Sequence, residues 1–206
     1  MNKTNIDWPG LTHTWNPITG CRRECYYCYA RRIHERFDPN VPFSHIEFHD
    51  ERLLDKMPRT PSKIFIGSMS DIEYWQPAWT EQIIDVCRQN PRHTFMFLSK
   101  SPGSYSGFNW PVNTMQGLTI TTNAGLSFYN SDKVVEIQKY TRPFLSIEPL
   151  LGMINFQLSF KSMELIIVGA MTGPGAIPPK PDWIQSIKRN VPAEKIYWKK
   201  NIKRYL

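Results

Sequence analysis

Three cysteines lie within eight residues, and their type and spacing predict a metal centre. The segment reads Cys21-Arg-Arg-Glu-Cys25-Tyr-Tyr-Cys28. Thiolates spaced four and three residues apart can converge on one centre and ligate three irons of a four-iron cluster. Iron–sulfur clusters are ordinarily held by four cysteines, so a three-cysteine set leaves the fourth iron open to an exogenous ligand.

Other uses of the same thiols stay open at this point. A structural zinc site would need a fourth ligand, which His13 or His34 could supply as a Cys3His set. Structural zinc sites usually draw ligands from two separated pairs, however, and the sequence has no second Cys-x2-Cys. Disulfides fit less well, because three clustered cysteines cannot all pair and Cys87 lies in a predicted helix far along the chain. Three merely buried thiols also fit poorly, since charged and tyrosine residues separate them.

Composition describes an ordinary globular chain. Its 206 residues are 41% hydrophobic and 21% charged, which suits one domain with a substantial core. The first ten residues contain no apolar run of the secretory type. The longest apolar stretch, around residues 165–168, is too short to span a bilayer. We therefore expect a soluble, cytoplasmic protein whose thiols stay reduced and available to metal, with no membrane partner.

The basic residues are unevenly distributed. The formal charge of +7 is weak evidence for a polyanionic partner. Five arginines crowd the cysteine loop and the segment after it, namely Arg22, Arg23, Arg31, Arg32 and Arg36. A second basic group occupies the C-terminal end, namely Lys188, Arg189, Lys195, Lys199, Lys200, Lys203 and Arg204. For the second group, a solvated surface with no ligand explains the charge equally well.

Apolar runs rich in β-branched residues alternate with amphipathic stretches along the chain. Continuous runs of this kind are typical of strands buried on both faces of a parallel sheet. The predicted strands are His13–Thr19, Lys63–Ser68, Thr94–Leu98, Gly117–Thr121, Pro143–Ile147, Glu164–Val168 and, more weakly marked, Lys195–Trp198. The predicted helices are Tyr29–Phe37, Pro77–Asn90, Ser131–Tyr140 and Pro181–Asn190. Cys87 shares an apolar helix face with Ile83, so we expect it in the core.

This alternation predicts an α/β fold built from βα units with parallel strands. About six units are too few for a complete eight-stranded barrel, which typically needs about 250 residues. We therefore predict a partial (β/α)6 barrel of the TIM type. It forms a single domain over residues 1–206, with a short basic C-terminal segment from about residue 195. The cysteine loop follows the first strand.

The residue before the third cysteine is aromatic, Tyr27. A Cys-x3-Cys-x2-Cys motif with an aromatic at that place resembles the radical S-adenosylmethionine (radical SAM) superfamily. The resemblance implies a [4Fe-4S] cluster held by Cys21, Cys25 and Cys28, whose open iron chelates the methionine part of S-adenosylmethionine. It also implies reductive cleavage of that cofactor to a 5′-deoxyadenosyl radical, which abstracts hydrogen from a substrate. A partial barrel with the cluster loop after the first strand is the implied architecture.

Longer motifs resemble one compact subgroup of that superfamily, often carried by phages and mobile elements. They are Trp15-Asn16-Pro17-Ile18-Thr19-Gly20-Cys21, Cys28-Tyr29-Ala30, Ser68-Met69-Ser70-Asp71, Ser146-Ile147-Glu148-Pro149-Leu150-Leu151-Gly152 and Gly173-Pro174-Gly175-Ala176. The chain departs from the subgroup in two places. The subgroup usually has a longer insertion between its first two cysteines. It also usually has Gly-Glu-Ser where this chain has Ala170-Met171-Thr172. The glutamate carboxylate is therefore missing here, which affects the contacts to the cofactor ribose or to the substrate.

Polar residues follow the second and third predicted strands, where ligands bind in parallel folds. Ser68, Ser70 and Asp71 follow the second strand and, by the resemblance, are candidates to contact the amino group of the cofactor. The alternative for this segment is a turn capped by Asp71. Lys100 follows the third strand and could neutralise a carboxylate or phosphate, or be a plain surface lysine.

The later strand ends supply the remaining candidates. Thr121 and Asn123 suit a ribose. Because an unpaired buried carboxylate is costly, we expect Glu148 to meet a ribose hydroxyl or a substrate donor. Glycine permits close backbone approach to a planar ligand, so Gly169 and Met171 are candidates for adenine, and the resemblance places Tyr27 against the cluster or adenine. A catalytic role stays unassigned, with Glu148 and Lys100 as candidates.

Charge and aromatic content bound the substrate. Basic residues near the cluster favour an anionic substrate, either a nucleotide or a base within RNA or DNA. Six aromatic residues could stack bases, namely Tyr74, Trp75, Trp79, Phe108, Trp110 and Tyr129. Most of them are expected instead to pack in the core or at its rim. Reductive chemistry would need an electron donor such as flavodoxin or ferredoxin. The opposing interpretation is a non-catalytic iron–sulfur or zinc module that grips nucleic acid.

Overall fold

The computed structural model describes residues 1–122, 140, 142–154 and 162–206. These residues form two compact units. The first unit contains Met1–Ile6, Gly10–Ser99 and Ser104–Met115, and the second contains Asp7–Pro9, Lys100–Gly103 and the described part of Gln116–Leu206. The predicted helix Ser131–Tyr140, except its last residue, lies outside the described residues. The single domain over residues 1–206 stays a prediction.

The first unit combines a mostly parallel sheet with two helices. Its elements in chain order are β1 (Asn2–Lys3), β2 (Leu11–Trp15), β3 (Ile18–Thr19), α1 (Tyr29–Phe37), β4 (Glu47–Phe48), β5 (Lys63–Ile66), α2 (Pro77–Gln89) and β6 (Thr94–Ser99). β2, β5 and β6 are neighbours and run parallel, and β1 pairs antiparallel with β2. β3 and β4 form a separate antiparallel pair on the chain segments that flank the cysteine loop and α1.

The second unit contains a parallel sheet and one described helix. Its elements are β7 (Thr114–Thr119), which enters the unit at Gln116, then β8 (Pro143–Ile147), β9 (Leu165–Val168), α3 (Pro181–Asn190) and β10 (Ile196–Trp198). The four strands are parallel neighbours in this order. Every residue of β8 is buried, as expected for a strand covered on both faces.

Local sequence explains where the helices begin. α2 and α3 both start with proline, Pro77 and Pro181. Proline suits the first helical position because its missing N–H would have no partner there and its φ is already helical. α1 begins after Cys28, whose side chain caps the helix. Cys87 lies on the buried face of α2 with no exposed surface, which confirms its predicted place in the core.

The predicted elements agree closely with the structure, with corrections at the strand ends. The mostly parallel α/β fold is confirmed, and α1, α3 and β8 have the predicted bounds. The first predicted strand, His13–Thr19, is wrong as one element: β2 ends at Trp15, because Pro17 has no N–H to donate to a ladder. β7 begins three residues before the predicted Gly117. Two of these three residues, Thr114 and Gln116, are polar, but the buried Thr114 hydroxyl donates a hydrogen bond to Pro111 O at 2.7 Å.

Candidate functional site

Backbone hydrogen bonds on two sides hold the segment that enters the cysteine loop. Gly20 N donates to Met69 O at 3.0 Å, and Cys21 N donates to Phe43 O at 2.8 Å. Gly20 also forms a parallel bridge with Ser70. The first cysteine is therefore positioned by the segment after β5 and by the segment after α1.

Glycine is required at position 20. Its φ is +91°, and a Cβ added there would lie 1.8 Å from His45 O. That distance is far inside van der Waals contact, and the obstructing atom belongs to the backbone rather than to a flexible side chain. The close approach of the two chain segments is what allows Gly20 and Cys21 to make their hydrogen bonds.

The three loop cysteines are half-buried, in contrast to the fully buried Cys87. Cys28 is the N-cap of α1, and its Sγ accepts a hydrogen bond from Arg31 N at 3.4 Å. Cys21 Sγ accepts one from Arg23 N, also at 3.4 Å. Backbone N–H donors and the positive end of a helix both stabilise a negatively charged sulfur. The loop thus provides half-buried thiols, two of which accept backbone hydrogen bonds.

The sulfurs of the loop are close enough for their charges to interact. Burial raises the pKa of the Cys21 thiol to about 11. Negative charge on Asp71, Cys25 and Cys28 acts in the same direction, and the backbone N–H two residues on opposes it. Metal binding to such a set must displace the thiol protons, and a cation would relieve the repulsion. Within the described ranges, no three Cys, His, Asp or Glu side chains form a group that could hold a metal ion.

Other contacts occupy the two histidines considered as a fourth zinc ligand. His34 Nε2 lies 2.7 Å from Val41 O, and its ring packs on Phe43 with 5.4 Å between centroids. His13 Nδ1 lies 2.8 Å from Thr12 Oγ1 in β2. In the part of the chain that the structure describes, neither histidine joins the cysteines in a ligand group.

The segment after β5 is tied to the motif that precedes the cysteines. Ser68 Oγ donates to Asn16 Oδ1 at 3.1 Å, and Met69 N donates to the same oxygen at 3.2 Å. Ser70 Oγ accepts a hydrogen bond from Trp75 Nε1 at 3.1 Å. Both predicted cofactor serines therefore have protein partners, and their contact with a cofactor stays a prediction.

Asp71 is buried, with 6% of its surface exposed. Its Oδ1 accepts hydrogen bonds from Ser99 Oγ at 2.6 Å and from Glu73 N at 3.1 Å, which caps a 3-10 helix over Ile72–Tyr74. Its Oδ2 lies 3.7 Å from Arg23 Nε. The capped turn given as the alternative is present, and a role for Asp71 at the cofactor stays a prediction.

Arg23 differs from the other arginines of this region. Its guanidinium pairs with both Asp71 and Glu73, so it links the cysteine loop to the segment after β5. The salt bridges among the described residues do not involve the other four, which are Arg22, Arg31, Arg32 and Arg36. Those four cations carry charge that no nearby carboxylate of the described chain neutralises.

Glu148, in the second unit, follows β8 and has two protein partners. Lys199 Nζ pairs with its Oε1, and Trp8 Nε1 donates to its Oε2 at 3.3 Å. A Cβ added at Gly169 would lie 2.9 Å from Lys199 Cδ and 3.1 Å from Glu148 Cδ, so glycine makes room for the pair. Lys199 supplies the charge that a half-buried carboxylate needs, a partner that the sequence did not indicate. A contact from Glu148 to the cofactor stays a prediction.

The segment after β9 is held by one amide side chain. Asn201 Nδ2 donates to Ala170 O at 2.8 Å, and Asn201 Oδ1 accepts from Ala170 N at 3.3 Å. These bonds fix the backbone between Gly169 and Met171, both of which are buried. The other second-unit candidates also stay predictions, namely the half-buried Thr121 and Lys100, and Asn123, which lies outside the described residues.

Aromatic side chains of the first unit divide into packed and exposed groups. Most of those considered for base stacking pack against neighbours, as the ring contacts of Trp75, Trp79, Phe108 and Trp110 show. The exposed rings lie in the cysteine loop and along α1 instead: Tyr26, Tyr29 and Phe37 are 65%, 45% and 78% exposed. Tyr27 is half-buried and meets Tyr26 edge-on, with 5.1 Å between centroids. The spacing of Tyr29 and Phe37 along the predicted helix is the feature of the sequence that could have indicated these exposed rings.

Comparison with solved structures finds a similar fold in spore photoproduct lyase. A double mutant of that lyase with bound AdoMet and dinucleoside spore photoproduct matches with a TM-score of 0.52 and 11% identity, over 90% of this chain and 62% of the lyase chain. A cysteine-to-serine mutant matches with a TM-score of 0.51 and 11% identity, over 82% of this chain and 58% of the other. This chain thus spans about three fifths of the lyase chains, and the likeness is one of fold.

The fold therefore defines a mostly parallel α/β protein similar to this lyase. The chain belongs to the family described as Protein of unknown function (DUF5131), whose sequence profile matches residues 3–202. Curated proteins yield no match to the sequence. Among the helices of the described residues, none combines the length and apolar content that crossing a membrane requires.

Proposed function

We propose that this protein is a radical SAM enzyme in which Cys21, Cys25 and Cys28 hold a [4Fe-4S] cluster. The observation that carries the proposal is the cysteine loop itself, with three half-buried thiols in the segment that leads into α1 and backbone N–H groups that donate to two of them. The likeness of fold to a lyase solved with AdoMet supports it. When bound, the cluster would supply the electron that cleaves S-adenosylmethionine to a 5′-deoxyadenosyl radical.

The protein's own residues would position and shield this chemistry. The three thiolates would ligate three irons, and the N–H groups of Arg23 and Arg31 would reduce the negative charge on two sulfurs. The hydrogen bonds of Gly20 and Cys21 hold the first ligand in place. The fourth ligand place would be left to the cofactor.

The residues at the strand ends are proposed to contact the cofactor. The residues proposed from the sequence are Tyr27, Ser68, Ser70, Asp71, Thr121, Asn123, Glu148, Gly169 and Met171. Hydrogen bonds within the protein already position Ser68, Ser70 and Asp71, which limits the entropy lost on binding. The partial (β/α)6 barrel, membership of the compact phage-associated subgroup and a cytoplasmic location are part of the same proposal.

The proposed substrate is anionic, a nucleotide or a base within nucleic acid. Support comes from the arginines near the cysteine loop that lack carboxylate partners in the described chain. The lyase of similar fold was solved with a dinucleoside. A reducing partner of the flavodoxin or ferredoxin type would deliver the electron.

Cluster binding is tested by anaerobic reconstitution with iron and sulfide. Iron per chain and the visible absorption band should collapse in Cys21→Ala, Cys25→Ala and Cys28→Ala. Cys87→Ala is the matched control and should keep both, because its thiol has no exposed surface. Protein that holds zinc and takes up no iron would contradict the proposal and favour the binding-module alternative.

A further inference from the structure

The outer side of α1 exposes apolar and cationic side chains together. Tyr29, Ile33 and Phe37 are spaced by four residues and so lie along one side of the helix, where they are 45%, 43% and 78% exposed. Arg32 and Arg36 each precede one of them and are exposed as well. A helix that packed only against its own unit would turn its apolar side inward. With Tyr26 from the cysteine loop, these residues form what we call the α1 surface.

Cations and aromatic rings are interleaved on this surface. The Arg36 guanidinium lies over the Phe37 ring, 5.7 Å from its centroid. Tyr26 is 65% exposed at the other end, beside the cysteines. Arginines that contact phosphates, next to rings on which bases stack, are the usual means of binding single-stranded nucleic acid.

A cavity of about 830 Å³ adjoins the α1 surface, since Tyr29 and Ile33 line both. The volume falls within the range of about 300–1,000 Å³ that is usual for ligand pockets. Uncharged polar side chains make up much of the remaining lining, including Asn2, Asn5, Asn16, Thr14 and Ser68. Side-chain amides are the groups that pair with the edges of bases.

The charged groups of the cavity are already engaged. Asp55 pairs with the terminal ammonium of Met1, and Arg52 Nη1 donates to Asn16 O at 2.7 Å. Asn16, which also lines the cavity, accepts two hydrogen bonds at its Oδ1 from the segment after β5. The cavity therefore suits an uncharged planar group with polar edges, while the charge for phosphates lies outside it on α1.

We propose that the α1 surface and this cavity bind a single-stranded nucleic acid. One unstacked base enters the cavity beside Tyr29, and the flanking phosphates contact Arg32 and Arg36. The inference rests on the proposed function and narrows its substrate to a polymer with accessible bases. An acidic protein would meet the same arginines but would leave a cavity lined by amides and hydroxyls unfilled. A continuous duplex would not present an unstacked base.

Binding is measured by fluorescence anisotropy with the reconstituted protein and labelled single-stranded DNA and RNA 12-mers at several salt concentrations. In the Arg32→Gln/Arg36→Gln variant, the slope of log affinity against log salt should flatten by about 1.4, because each single-strand phosphate contact contributes about 0.7. Lys188→Gln/Arg189→Gln on α3 removes the same charge elsewhere and should leave the slope unchanged. Phe37→Ser should weaken binding about tenfold through lost stacking, with the slope unchanged.

Base insertion is measured separately by photocrosslinking with oligonucleotides that carry one thiolated base. The crosslinked peptide should contain Tyr29 or Met69, which line the cavity. Several results would overturn the inference: no binding at low salt, equal effects of the two double variants, preference for duplex, or crosslinks elsewhere. If the Arg32→Gln/Arg36→Gln variant slows only the cofactor cleavage that flavodoxin drives and leaves oligonucleotide binding unchanged, the inference is also overturned. The α1 surface would then be the docking surface of the electron donor. Cofactor cleavage with dithionite needs no oligonucleotide, so failure here is distinguishable from failure of the proposed function.

Discussion

Replacing Gly20 with alanine should destabilise the first unit and displace Cys21. The added Cβ would lie 1.8 Å from the backbone oxygen of His45 at φ +91°. Gly107 is the matched control: its φ is +86°, and nothing lies within 4 Å of an added Cβ. Both alanines carry the cost of left-handed backbone, of order 1–3 kcal/mol. Only the alanine at position 20 adds a clash.

The difference between the two variants can be worked from the hydrogen bonds that the clash disturbs. Relief of the clash must shift residues 20 and 21 away from His45, and this shift disturbs the hydrogen bonds from Gly20 N to Met69 O and from Cys21 N to Phe43 O. Each bond contributes about 1 kcal/mol net, so Gly20→Ala should be less stable than Gly107→Ala by about 2 kcal/mol. In a chain of this size 1 kcal/mol corresponds to about 2–4 °C, which predicts a melting temperature about 4–8 °C lower.

Thermal unfolding of the two apoproteins, followed by circular dichroism, measures this difference. Iron loading should also fall in Gly20→Ala and stay at the wild-type level in Gly107→Ala, because only the former moves Cys21, a proposed cluster ligand. Equal melting temperatures for the two variants would refute the reasoning. So would full iron loading in Gly20→Ala.

Three further predictions concern single groups. Cys87 should react with iodoacetamide only in denaturant, while Cys25 and Cys28 of the cluster-free protein react under native conditions; native labelling of Cys87 would contradict its burial. If Glu148 contacts the cofactor, Glu148→Gln should weaken S-adenosylmethionine binding and Lys199→Met should not. If both variants lower the melting temperature equally and leave binding unchanged, the ion pair of Glu148 and Lys199 is purely structural. Burial raises the pKa of Asp7, but a backbone N–H, the Tyr197 hydroxyl and nearby lysines hold it below its ordinary value. The ionised Asp7 carboxylate therefore stabilises the fold above about pH 4, and this stabilisation is lost as pH falls through the lowered pKa. Urea unfolding should show that the free energy of unfolding lost in Asp7→Asn becomes smaller toward pH 3.

The secondary structure could be predicted well where local signals were strong. Pro77 and Pro181 mark helix starts whose reason is covalent geometry, and the apolar run of β8 has no competing interpretation. The predicted first strand runs past Trp15 because Ile18 and Thr19 are β-branched and form a strand of their own, β3, on the far side of Pro17. The antiparallel strand β1 was missed, since two polar residues carry no periodicity and pair only because β2 lies beside them.

The partners of the site residues could not be predicted from sequence. Asp71 is engaged by Ser99, and Glu148 by Lys199, across separations of 28 and 51 residues. Such pairs depend on which strand ends become neighbours, and no local pattern encodes that. The three loop cysteines differ in that their closeness along the chain is visible in the sequence itself, and their role as metal ligands stays a prediction.

Reductive cleavage of the cofactor tests the central claim most directly. The reconstituted protein is incubated anaerobically with dithionite and S-adenosylmethionine, and the products are separated and quantified. We predict 5′-deoxyadenosine in the wild type and in Cys87→Ala, and none in Cys25→Ala. A protein that holds a complete four-iron cluster and forms no 5′-deoxyadenosine, with or without an added oligonucleotide, would contradict assignment to the radical SAM enzymes.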